Sequence, residues 1–70
     1  MENESSNNPL DHTSNIKKEF LALVEHLRQD VSKVDDPAAK ALFEVSAEVI
    51  IGLHKAFEDY EKKNEEAWQN

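Results

Sequence analysis

Three histidines and one pair of glutamates are the residues of this chain best equipped for chemistry. The histidines are His12, His26 and His54. No two of them stand three or four residues apart, so no helix presents a two-histidine metal face. The residues three before them are Pro9, Leu23 and Ile51. The Glu-x-x-His pattern of di-iron bundles is therefore missing. Glu44 and Glu48 are carboxylates one helical turn apart. With His54 they define a metal-binding bundle as one alternative reading, but a hard cation needs more oxygen ligands than two. The chain has no cysteine and a single glycine. That removes thiolate chemistry, disulfides and a glycine-rich phosphate loop. The expectation is a non-enzyme with no catalytic, cofactor-binding or metal-ligating residues.

The elements that would carry these residues are helices. One third of the 70 residues are charged, and there are only two prolines. Ile16, Phe20, Leu23, Val24, Leu27, Val31 and Val34 recur at spacings of three and four, as one stripe of an amphipathic helix. The polar segment Met1 to Thr13 reads as a flexible acidic tail. Asn8-Pro9-Leu10-Asp11 offers a cap and an extra helical turn from Pro9, with Ser14 as the competing start. Helix 1 is expected over about 14–34. Asp36 must leave the helix because Pro37 follows it. It then caps helix 2, with Pro37 in the first turn, which sets the turn at 35–36. Helix 2 is expected over about 37–67, where Glu58–Lys62 and Asp59–Lys63 are spaced as favourable ion pairs. A connection this short makes an antiparallel hairpin over 14–70.

Helix 2 carries two apolar stripes. Leu42, Val45, Val49, Leu53, Ala56 and Tyr60 form one. Phe43, Ile50 and Phe57 form another, displaced by roughly a quarter turn on a 3.6-residue helix. Two stripes require two neighbours, and the chain supplies only one other helix. A lone core of this size rarely provides more than ~3–5 kcal/mol, and oligomerisation is the staple left to it. The sequence thus predicts an all-α helical hairpin dimerising into a four-helix bundle. The expected hairpin core is Phe20, Leu23, Leu27, Val31, Leu42, Val49, Leu53 and Tyr60. The expected dimer interface is Phe43, Ile50, His54, Phe57 and Trp68. Gly52 sits inside helix 2, where it costs ~1 kcal/mol against alanine, and its expected role is a close helix crossing. Ile51 lies outside both stripes; a single exposed Ile needs no explanation, and the sharper reading is that with Ala47 nearby it extends an apolar patch onto the outer surface.

The net charge is −7, with −3 on residues 1–13, −3 on residues 56–70 and −1 between. Such a balance repels phosphate backbones and disfavours DNA. It suits solubility and a basic protein partner. There is no apolar run of the ~18 residues a membrane span needs, and the first residues lack the pattern of a signal peptide. A cytoplasmic location is the expectation. The leading reading is a protein–protein interaction or regulatory module acting as a homodimer. The other alternative is a Rop-like hairpin dimer that contacts RNA, a resemblance of architecture alone. Its candidate contacts are Lys17, Lys18 and Arg28.

Overall fold

Prolines near both helix starts set the architecture. The computed structural model describes residues 7–69, with side chains for residues 7–64. Among these residues there are two helices, α1 (Pro9–Val31) and α2 (Pro37–Gln69), packed against each other. Asn8 caps α1. Its side-chain oxygen accepts from the Leu10 N–H at 3.0 Å, and Pro9 fills the first helical position. The helix therefore starts at the earlier of the two sites the sequence offers.

The other end of α1 differs from the expected boundary. The helix stops at Val31, three residues short of Val34. The Ser32 hydroxyl donates to the Gln29 carbonyl at 2.8 Å, and the Lys33 N–H donates to the Asp30 carbonyl at 2.9 Å. These bonds tighten the last turn and satisfy carbonyls that a helix end leaves open. Lys40 of α2 also donates its ammonium to the Val31 carbonyl at 3.1 Å. A cation there complements the negative end of the α1 dipole. The connection is thus residues 32–36. Asp36 caps α2 as its position before proline requires, accepting from the Ala38 N–H at 3.2 Å.

The hairpin is one layer of helices. It measures 51 × 26 × 12 Å, and its thin dimension is that of a single helix with side chains, about 10–12 Å. Domains are ordinarily built from at least two layers around one core. Here only Val24 and Ala47 are buried among the described residues. The rings of Phe20 and Phe57 meet edge to face with centroids 5.2 Å apart. Around these, Leu27, Val31, Phe43 and Ile50 are half-buried. No helix among the described residues is long and apolar enough to cross a membrane.

Candidate functional site

Each residue turns a helix by about 100°, so the faces of α2 follow from its numbering. Phe43, Ala47, Ile50, His54 and Phe57 lie within an arc of about 80°. All five are buried or half-buried, and the Phe57 ring contacts Phe20. This is the face that packs on α1. Leu42, Val45, Val49, Leu53, Ala56 and Tyr60 occupy a second arc, centred about 120° away. That arc is open to solvent. Leu42 is 62% exposed, Val45 60%, Val49 58%, Leu53 45% and Tyr60 46%.

The stripe that meets α1 is therefore not the one expected to, and the stripe expected to meet α1 is exposed. Leu42, Val49, Leu53 and Tyr60 do not form the hairpin core. Phe43, Ile50, His54 and Phe57 do not lie on an outward face. Leu23 also leaves the expected core and is 46% exposed. It lies about 100° from Val24 on α1, on the flank adjoining the outward stripe of α2. Phe20, Leu27 and Val31 do turn towards α2. Trp68 lies outside the residues whose side chains are described. Ala47 moves furthest from its expected place. Expected beside an outer patch, it is 3% exposed and the most buried of the described residues. A methyl side chain adds little to a hydrophobic stripe, yet its size is what lets two helices approach.

Polar groups fix the register at one end of the α1–α2 contact. Glu61 accepts from the Thr13 hydroxyl at 2.5 Å and from the Lys17 ammonium at 2.6 Å. Lys17 also lies 4.0 Å from Glu58, which is 3.7 Å from His54 Nδ1. The Lys17 hydrogen bond, helped by Thr13, holds the Glu61 carboxyl below its ordinary value. The same bond raises the Lys17 ammonium. Charge-assisted bonds of this kind are short and directional. Glu58 and Asp59 were spaced to pair with Lys62 and Lys63. Glu58 instead reaches Lys17 and His54, and Asp59 lies 3.7 Å from Lys55. The clamp could be anticipated only once the hairpin register was known, because its partners are more than forty residues apart.

The remaining sequence candidates do not converge. His26 is exposed and pairs with Asp30 at 3.0 Å. His54 belongs to the clamp, away from Glu44 and Glu48. Among the described residues no group of three or more His, Cys, Asp or Glu could hold a metal ion. Lys17 is occupied by carboxylates, while Lys18 and Arg28 are exposed. A Cβ added at Gly52 would meet nothing within 4 Å. The glycine therefore does not serve the approach of α1. Two of the open depressions among the described residues bear on these faces. One, of about 450 Å³, lies between Arg28 and Glu48. The other, of about 320 Å³, is almost wholly apolar and is lined by Thr13, Ala56, Phe57 and Tyr60. It extends the outward stripe towards the start of α1.

What this arrangement offers is a surface. Leu42 to Tyr60 spans about 27 Å along α2, and with Leu23 beside it the apolar zone reaches onto α1. Contiguous apolar patches of this kind mark interaction sites, whereas scattered exposed residues do not. Comparison with protein families, with curated proteins and with solved structures finds no match.

Proposed function

We propose that this protein is a non-enzymatic, self-associating interaction module. Two hairpins stack through the outward face of α2 and make a four-helix bundle. One observation carries this reading: a continuous apolar stripe of α2, Leu42–Val45–Val49–Leu53–Tyr60, is left uncovered by α1.

The energetics support it. A single layer with two buried residues among those described has little hydrophobic stabilisation to set against the entropy of ordering two helices. Stacking a second hairpin supplies the missing layer and turns the exposed stripe into a core. Leu53, Val49 and Leu42 then do for the dimer what Val24 and Ala47 do for the hairpin. The charged faces of both helices stay in water. A net charge of −7 keeps such dimers apart from one another and favours a basic protein as a further partner over nucleic acid.

Self-capture tests the proposal. A tagged chain should retain an untagged copy after the two are refolded together, and a tagged Leu53→Glu chain should retain none. Equal retention by the Leu53→Glu chain would place self-association elsewhere on the molecule. No retention by the unaltered chain would remove the self-association reading altogether.

A further inference from the structure

We propose that the second copy covers the outward face with its own α2, running antiparallel, about a two-fold axis that passes between Val49 and Leu53. This rests on the self-association reading above and specifies its geometry.

The spacing of the stripe is the first support. In a two-fold interface, residue i meets the partner's residue j while j meets the partner's i. The outward stripe is nearly symmetric about position 51. Val49 and Leu53 lie two residues to either side and Leu42 and Tyr60 nine, while Val45 and Ala56 lie six and five. An antiparallel copy centred there sets Leu42 against the partner's Tyr60 and Val49 against the partner's Leu53. Every large outward residue of α2 then meets an apolar one.

Flanking charge is the second consideration, and it is divided. The two-fold brings exposed Glu48 towards the partner's Lys55, which Asp59 also holds, and it brings Glu44 towards the partner's Asp59.

Gly52 is the third. It adjoins the stripe beside the axis, and the space a Cβ would fill is open in the hairpin. A second α2 crossing there accounts for a glycine that α1 does not need.

Area agrees. A face about 27 Å long and two helices, about 20 Å, across has a projected area near 500 Å². Its corrugated accessible surface is larger, and a standard interface uses ~800 Å² per partner.

A two-fold running along the helices would instead lay the partner's α1 on this stripe. Lys40 reaches Val31, so the Leu42 end of α2 is level with the last turn of α1. That arrangement brings Asp30, which holds His26 and Lys33, to the level of Leu42 and Val45. The α2–α2 arrangement keeps the carboxylate out of the apolar contact.

The chain lacks cysteine, so engineered thiols report the geometry without background. A disulfide needs Cα atoms within ~7 Å, whereas positions 42 and 60 of one helix are about 27 Å apart. The Leu42→Cys/Tyr60→Cys double variant should oxidise to a covalent dimer, and each single variant should remain uncross-linked. A co-refolded mixture of Val49→Cys and Leu53→Cys chains should also cross-link, which provides a second reading if the first variant folds poorly. Light scattering on the unaltered chain and the reduced variants runs beside the gels. A dimer in which the Leu42→Cys single variant cross-links to itself would mean parallel α2 helices and overturn the proposal. A dimer in which neither pairing cross-links would mean that α2 faces the partner's α1, and would overturn it too. A monomeric unaltered chain would overturn the self-association reading itself.

Discussion

The two apolar faces of α2 differ in an instructive way. The face on α1 is built from Phe43, Ala47, Ile50, His54 and Phe57, a mixture of aromatic, small and polar side chains. The outward face, Leu42, Val45, Val49, Leu53 and Tyr60, is the more uniformly aliphatic. Yet Ala47 is 3% exposed and Leu42 62%. The amount of apolar surface on a helix face does not decide which neighbour covers it. Shape and polar registration decide it. Ala47 permits close approach, the Phe20–Phe57 rings interlock, and Glu61 ties to Thr13 and Lys17. The aliphatic stripe lacks those devices within the chain, and α1 leaves it open to solvent.

The largest way to break this contrast acts on the inner face. Phe57→Ala removes the ring that meets Phe20 and should cost about 2–3 kcal/mol. The helical signal in circular dichroism should fall, and the urea midpoint with it, at every protein concentration. An unchanged midpoint would mean that the inner face is not the hairpin's core.

The outer face should respond differently. Val49→Asp puts a charge into the proposed dimer core, where an unpaired buried carboxylate costs several kcal/mol. In the lone hairpin the same position is 58% exposed, and the change is nearly neutral. Thermal melts of the unaltered chain should therefore shift upward with concentration, and those of Val49→Asp should not. Superimposable melts at all concentrations for both chains would contradict the contrast.

Gly52→Ala sharpens the comparison through its sign. In a lone hairpin the added methyl meets open space, so the change should stabilise by up to ~1 kcal/mol through helix propensity. In a bundle with α2 helices crossing at Gly52 the methyl obstructs the approach. The account predicts lower concentration dependence of the melt, with higher helicity in dilute solution. A variant that is more stable and equally concentration-dependent would move the crossing away from Gly52.

The smallest effect belongs to the clamp. Glu61 is lowered from an ordinary value of 4.5, so its contribution is present above that pH and is lost as pH falls through the lower folded value. Lys17 is raised from 10.5, so its contribution is present below that pH and is lost as pH rises through the higher folded value. Glu61→Gln should melt below the unaltered chain at pH 7, and the gap should narrow towards pH 3. A gap that is constant with pH would mean that Glu61 acts through packing rather than charge.

Much of this fold is written in local signals. Asn8-Pro9 and Asp36-Pro37 mark helix starts because proline constrains the chain wherever it stands, and both caps form as the residue types dictate. The end of α1 was less legible. Val34 continues the apolar spacing, while Ser32 and the distant Lys40 end the helix through bonds that periodicity cannot register. The assignment of the two α2 faces was not legible from apolar content, since both satisfy the same 3.6-residue repeat. The discriminating residues were inconspicuous. Ala47 adds little hydrophobicity, and Thr13, Lys17 and Glu61 reveal themselves only when the antiparallel register sets them level. The exposed stripe is visible in the sequence as surplus apolar surface, although apolar content alone does not show that α1 leaves it uncovered.

The central claim is that a second copy covers the outward face of α2. Its most direct test is the solution mass of the unaltered chain by light scattering on a sizing column, across a range of concentrations. The account predicts a particle of twice the 8.0 kDa chain mass that dissociates on dilution. A mass of 8.0 kDa at every concentration would contradict it.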